Sequence, residues 1–164
     1  MSRRTKQLAN RFNVHRAPVE ECDAAWGIIE EYYEAAVVVA RDAREDFARI
    51  YFLDGAGVWL ATLENNVAGC VALRPLEAIA HSAEVKRLYV RPRFRGRGIA
   101  AALYRALELY ARERDYEWLY LDTTDEMLAA QRFYASLGYE LTTPYNDNPQ
   151  ATIYMRKKLR ASLA

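Results

Sequence analysis

The sequence predicts a mixed α/β fold, and three observations carry that prediction. The first is the stretch from Glu84 to Ala111. Val85 to Val90 is rich in β-branched, aromatic and aliphatic residues, Pro92 closes it, and Gly96 and Gly98 follow; Ile99, Leu103, Leu107 and Tyr110 then recur at helical spacing. The second is Trp118-Leu119-Tyr120-Leu121, a near-continuous apolar run of the kind found in strands covered on both faces. The third is the alternation of such strand patterns with helical ones, which gives the order β-α-α-β-β-β-α-β-α-β-β. A chain of 164 residues suits one domain, residues 1–164 as a single unit.

Taken in order, residues 1–11 are polar and basic and are expected to fray. Phe12 to Arg16 reads as a first strand. After Pro18, the segment Glu20 to Ala36 carries Cys22, Trp26, Ile29, Tyr33 and Val37 near one face, the pattern of an amphipathic helix. Val37-Val38-Val39 fits either a helix end or a buried loop. Arg41 to Tyr51 reads as a second short helix. Val58 to Glu64 and Val67 to Arg74 are strands, joined by a tight Asn65-Asn66 turn because asparagine tolerates positive φ. A loop through His81 leads to the strand after Glu84, and a helix runs from Gly98 to about Arg114. That helix is a crossover, so the strands at 85–90 and 117–121 should be parallel neighbours. Thr123 and Glu126 have capping-box spacing ahead of a helix through Leu137, with Gly138 as its left-handed stop. Tyr139 to Thr142 and Ala151 to Lys158 form a last strand pair, joined by the stiff polar loop Pro144 to Pro149.

The formal net charge is only +1, so no global polyanion partner is implied. The basic charge is local: Lys86, Arg87, Arg91, Arg93, Arg95 and Arg97 share one short stretch. A strand, a basic glycine turn and a helix start make an anion site, since orphan N–H groups and the helix dipole point at whatever sits there. The glycines let a phosphate approach the backbone closely. Cys22 and Cys70 lack metal-ligand spacing, and no metal site is expected. Met1 to Leu8 has no apolar core of a signal peptide, and no apolar run is long enough to span a membrane. The cytoplasm is the expected location.

Arg95-x-x-Gly98-x-Ala100 resembles the pyrophosphate loop of the GNAT acetyltransferases, whose pattern is Gln/Arg-x-x-Gly-x-Gly/Ala. Ala130-Gln131-Arg132-Phe133-Tyr134-Ala135-Ser136-Leu137-Gly138-Tyr139 resembles that family's second signature, Ala-x-x-x-Tyr-x-x-x-Gly-Phe/Tyr, one strand and one helix further on. The resemblance covers residues 57 to 158 and extends more weakly to the N-terminal helices. The ending from Pro144 to Met155 looks like that of a bacterial subgroup of unassigned substrate. Met127 departs from it, standing where many members have an Asn, and Ala100 replaces the commoner Gly.

The resemblance implies a mixed sheet of about six to seven strands flanked by about four helices, with parallel central strands that splay apart. It implies acetyl-CoA as cofactor and a primary amine of a small-molecule or amino-acid-like acceptor, attacked directly in a ternary complex. The alternatives are a protein N-terminus or lysine as acceptor, or a sensor that binds acetyl-CoA without catalysis. A monomer or homodimer is expected, with neither nucleic acid nor membrane as partner. A nucleic-acid reading of residues 86–97 draws slight support from the interleaved Tyr89 and Phe94.

In the family pattern, the backbone of Leu88, Tyr89 and Val90 bonds the pantetheine arm and polarises the thioester carbonyl. Arg95, Gly96, Arg97, Gly98, Ile99, Ala100 and Ala101 hold the pyrophosphate. Tyr134 is the candidate general acid, because a phenol with pKa near 10 is protonated at neutral pH; the plainer alternative is a buried aromatic. Glu84 is the candidate general base, against an ion pair with Lys86 or Arg87. Glu31, Tyr32, Tyr145 and Asn146 are candidates for the acceptor site, against a solvated helix face and an ordinary turn. His15 and His81 suit loop or core positions.

Overall fold

Seven strands form one mixed sheet in the computed structural model, which describes residues 11–159. The tail at 1–10 lies outside the described residues. The strands are β1 (Asn13–Arg16), β2 (Gly57–Leu63), β3 (Asn66–Pro75), β4 (Ser82–Val90), β5 (Trp118–Thr123), β6 (Glu140–Leu141) and β7 (Ile153–Lys158), in spatial order β1-β2-β3-β4-β5-β7-β6. The helices are α1 (Cys22–Ala35), α2 (Arg44–Tyr51), α3 (Ile99–Glu113) and α4 (Leu128–Ser136). Seven strands and four helices in this order fulfil the expected architecture, and β4 and β5 are the parallel pair.

Both faces of the sheet are covered, which explains the apolar runs. Alternate residues of β2 and β3 point to opposite faces. Trp59, Val71 and Leu73 pack with Leu103 and Leu107 of α3, while Leu60, Cys70 and Ala72 pack with Ile28, Ile29 and Phe47 of α1 and α2. Each such aliphatic side chain removed from water contributes roughly 1.5–3 kcal/mol.

Two features of β4 make the site. Its parallel pairing with β5 covers only Ser82, Glu84 and the residue between, opposite Trp118 to Tyr120; beyond that the strands part. On its other edge, Cys70 pairs with Tyr89 but Ala72 pairs with Lys86, so β4 carries one extra residue there. Arg87 sits in that bulge at φ +60°. A bulge bends and twists its strand, and here it turns the end of β4 away from β5. Gly69 lies opposite Val90, and a Cβ built on it would meet the Tyr89 carbonyl oxygen at 2.8 Å. Gly69→Ala is therefore expected to lower stability by about 1–3 kcal/mol, the usual cost of overpacking. An unchanged melting temperature would contradict this close approach.

Several local expectations need correction. The hairpin turn is Glu64-Asn65, both at positive φ, and Asn66 already belongs to β3. Val37 and Val39 are exposed loop residues. The second helix starts three residues late, at Arg44, because the Asp42 carboxylate is drawn inward to the hydroxyls of Tyr33 and Tyr51. The capping box does not form. Thr123 stays in the ladder opposite Ile153, and α4 begins at Leu128 without a side-chain cap. Gly138 does end α4 as expected, at φ +96°, with Tyr139 N–H donating to the Tyr134 carbonyl.

Candidate active site

Where β4 leaves β5, an open cleft of about 550 Å³ runs along Leu88, Tyr89 and Val90 to the start of α3. Its floor is strand backbone with no ladder partner on the β5 side. Its far end is the basic turn. Gly96 and Gly98 stand at φ +75° and +79°, and a Cβ added to either would meet nothing within 4 Å. Gly98 precedes α3, whose first intrahelical bond into that residue comes from Ala102. The N–H groups of Ile99, Ala100 and Ala101 therefore have no helical acceptor, and all three residues line the cleft. Arg95 lines it too and ties the turn to β4 by donating to the Val90 carbonyl at 2.9 Å. The Arg97 guanidinium lies 5.9 Å from the Phe94 ring centre, beside this cradle. Bare N–H groups, the positive helix end and a glycine backbone fit a pyrophosphate.

The cleft continues between β4 and β5 into a smaller chamber of about 140 Å³. Tyr32, Met127, Ala130 and Leu88 line both spaces. Tyr134 lines the chamber, is 8% exposed, and makes no hydroxyl hydrogen bond among the described residues. Burial pushes its phenol well above the ordinary value, with Tyr32, Tyr104 and Asp122 adding to the shift. It is thus fully protonated at neutral pH and able to donate.

Glu84 is 1% exposed and directly precedes Val85 and Lys86 of the chamber wall on β4. Arg74 Nε and the Lys86 ammonium lie 2.9 and 3.4 Å from Oε1; Tyr145 O–H and Asn146 Nδ2 donate to Oε2 at 2.7 and 3.1 Å. Burial alone would raise its pKa, but the Lys86 and Arg74 charges and the Tyr145 hydroxyl hold it below the usual carboxylate range. A carboxylate saturated in this way has little basicity left. The ion pair with Lys86 is present, joined by Arg74; Arg87 instead pairs with Asp42 at 3.3 Å.

The other expected acceptor residues are dispersed. Tyr32 is in the chamber wall. Glu31 accepts from Arg91 Nε at 2.9 Å and Tyr89 O–H at 3.1 Å, and lines neither space. Tyr145 lines neither space and donates to Glu84. Asn146 bridges Glu84 and Asp122, with 2.6 Å to Asp122 Oδ2. Asp122, Lys86, Arg87 and Gln150 line the chamber and were not singled out as acceptor residues. Gln150 clasps the loop after α1, accepting from Val39 N–H at 2.6 Å and donating to the Val37 carbonyl at 3.0 Å. Among the described residues, no cluster of His, Cys, Asp and Glu is suited to a metal, and no helix is long and apolar enough to cross a membrane.

The splayed β4–β5 pair with its glycine cradle is the arrangement that the family resemblance implies, and the chain belongs to the acetyltransferase (GNAT) family, whose model matches residues 23–139. An uncharacterised N-acetyltransferase of Schizosaccharomyces pombe is 39% identical over 92 residues, 56% of each chain. The N-acetylaspartate synthetase of Rattus norvegicus is 35% identical over 137 residues, 78% of this chain and 46% of that protein. The chain thus spans about half the length of the curated relatives it matches. A solved GNAT-family acetyltransferase from Staphylococcus aureus shares the fold at a TM-score of 0.77 and 18% identity, covering 92% of this chain and 100% of that one.

Proposed function

We propose that this protein transfers an acetyl group from acetyl-CoA to the primary amine of a small, amino-acid-like acceptor, in a ternary complex. The observation that carries the reading is the continuity of the glycine cradle, the open β4 backbone and the Tyr134 chamber along one cleft. The likeness to an N-acetylaspartate synthetase supports an amino-acid-like acceptor.

Acetyl-CoA would supply an electrophilic thioester carbonyl and a thiolate leaving group. The cradle at Gly96 to Ala101 binds the pyrophosphate. Unpaired backbone along Leu88 to Val90 orients the arm, and an N–H there polarises the carbonyl. Tyr134 O–H gives its proton to the departing sulfur. The acceptor nitrogen sheds two protons in all: one leaves to solvent before attack, and the other restores Tyr134. Glu84 acts by position, accepting hydrogen bonds that hold Tyr145 and Asn146 of the last loop. Cys70 is buried, its thiol pushed up to about 12 by desolvation, so it is not an acyl carrier.

Gly98→Glu tests the cradle. Its carboxylate would project into the open space where pyrophosphate approaches the helix start. Acetyl-CoA affinity in calorimetry should fall at least tenfold, about 1.4 kcal/mol. Gly98→Ala, which carries the same backbone strain without the charge, should lose less. Equal losses in the two variants, or none, would remove the pyrophosphate assignment.

A further inference from the structure

The chamber walls differ in how their charges are matched. Asp42 has Arg87 at 3.3 Å and Arg74 at 3.8 Å, and Glu84 has Arg74 and Lys86. Asp122 has only neutral donors among the described residues: Asn146 Nδ2 at 2.6 Å and Asn148 Nδ2 at 3.3 Å. It stands on β5 just past the point where β4 departs, and it lines the chamber with Tyr134. A chamber carboxylate whose hydrogen bonds come from neutral amides can still accept a charge-assisted bond from a ligand cation.

The cations beside it are poorly satisfied. Lys86 is 9% exposed, and its one ion-pair partner among the described residues, Glu84, is shared with the nearer Arg74. Arg87 is 8% exposed, and its contacts to Asp42 and to the Ala40 carbonyl are long, 3.3 and 3.5 Å. Its Nε is buried with no hydrogen-bond partner among the described residues. Lys86 and Arg87 line the chamber and also the adjoining outer pocket of about 320 Å³, so they stand between the reactive centre and the outside. Two nearly buried cations with spare donors are arranged for an anionic group.

We propose that the acceptor is a free amino-acid zwitterion, its ammonium seated on Asp122 and its carboxylate on Lys86 and Arg87. This rests on the reading of the cleft as an amine-acetylating site and deepens it. The ammonium and carboxylate of an amino acid are separated by a single carbon, so both must be read within one small chamber, and both are matched there. Polyamines and lysine side chains present a second cation or an uncharged stem to Lys86 and Arg87. A protein N-terminus presents an amide where the carboxylate should be.

Calorimetry of the full chain with coenzyme A bound tests this, using L-aspartate and succinate as probes. Succinate has the carboxylates without the amine. Asp122→Asn is expected to weaken L-aspartate binding at least tenfold while changing succinate binding less than twofold. Lys86→Gln should weaken both at least tenfold, and Lys86→Arg should restore both. Melting curves confirm that each variant folds, and Arg87→Lys is the substitute should Lys86→Gln not fold. Equal loss of both probes in Asp122→Asn, or no L-aspartate binding by a wild type that still acetylates amines lacking a carboxylate, would overturn the proposal. The expected split of binding without thiol release from acetyl-CoA on any amine would leave the zwitterion site standing and overturn the transferase reading.

Discussion

Tyr134→Phe is expected to lower the single-turnover rate of acetyl transfer by roughly 10²-fold, the usual scale for losing a general acid. The change removes one hydroxyl and keeps the ring, which makes edge contacts with Phe133 and Tyr139 at 5.4 Å. Because the hydroxyl has no protein partner among the described residues, its loss strands no buried group. Stability should therefore hold within about 0.5 kcal/mol, and acetyl-CoA should bind as before. Burial keeps this phenol protonated far above neutral pH, so wild-type activity should show no alkaline loss from Tyr134 in the physiological range. A wild-type single-turnover rate in the variant would reduce Tyr134 to a packing residue.

The second large effect is on stability. Glu84→Gln leaves the Arg74 and Lys86 charges facing a neutral amide in a buried place. Removing one partner of a buried ion pair commonly costs 3–5 kcal/mol. Arg74 is partly exposed and keeps Asp42 at 3.8 Å, so the lower end, about 3 kcal/mol, is expected. That corresponds to a fall in melting temperature of about 6–12 °C for a chain of this size. The pH dependence follows from the lowered pKa of Glu84. A carboxyl with a depressed folded value stabilises fully above its ordinary pKa of about 4.3 and loses that contribution as pH falls through the folded value. The gap between wild type and variant should thus be constant at neutral pH and shrink below about pH 4. The acidic limb of the kcat/KM profile should survive in the variant. Its disappearance, with little loss of stability, would make Glu84 the general base after all.

Much of the fold was legible because its signals are local. The strand, turn and helix from Glu84 to Ala111 follow from periodicity and from two glycines that the chain uses at positive φ. Gly138 announced the end of α4 in the same way. Signals failed where distant residues decided. The Thr123 to Glu126 spacing lost to a ladder with Ile153, thirty residues on. The bulge that turns β4 is hidden because arginine gives no hint of left-handed backbone at Arg87. The role of Glu84 depends on Arg74, Tyr145 and Asn146, which only the sheet and the last loop bring together. Asp122 directly follows the apolar run Trp118 to Leu121, which masks it. A lone carboxylate at the end of a buried strand, just past a parallel crossover, is the signal that would have found it.

The most direct test of acetyl transfer is thiol release from acetyl-CoA by the purified chain, measured against a panel of free amino acids, their amides and simple alkylamines, with the N-acetyl product weighed by mass spectrometry. The expected result is amine-dependent release, one thiol for each N-acetyl product, fastest with free amino acids. Acetyl-CoA binding with no amine-dependent thiol release from any member of the panel would contradict it.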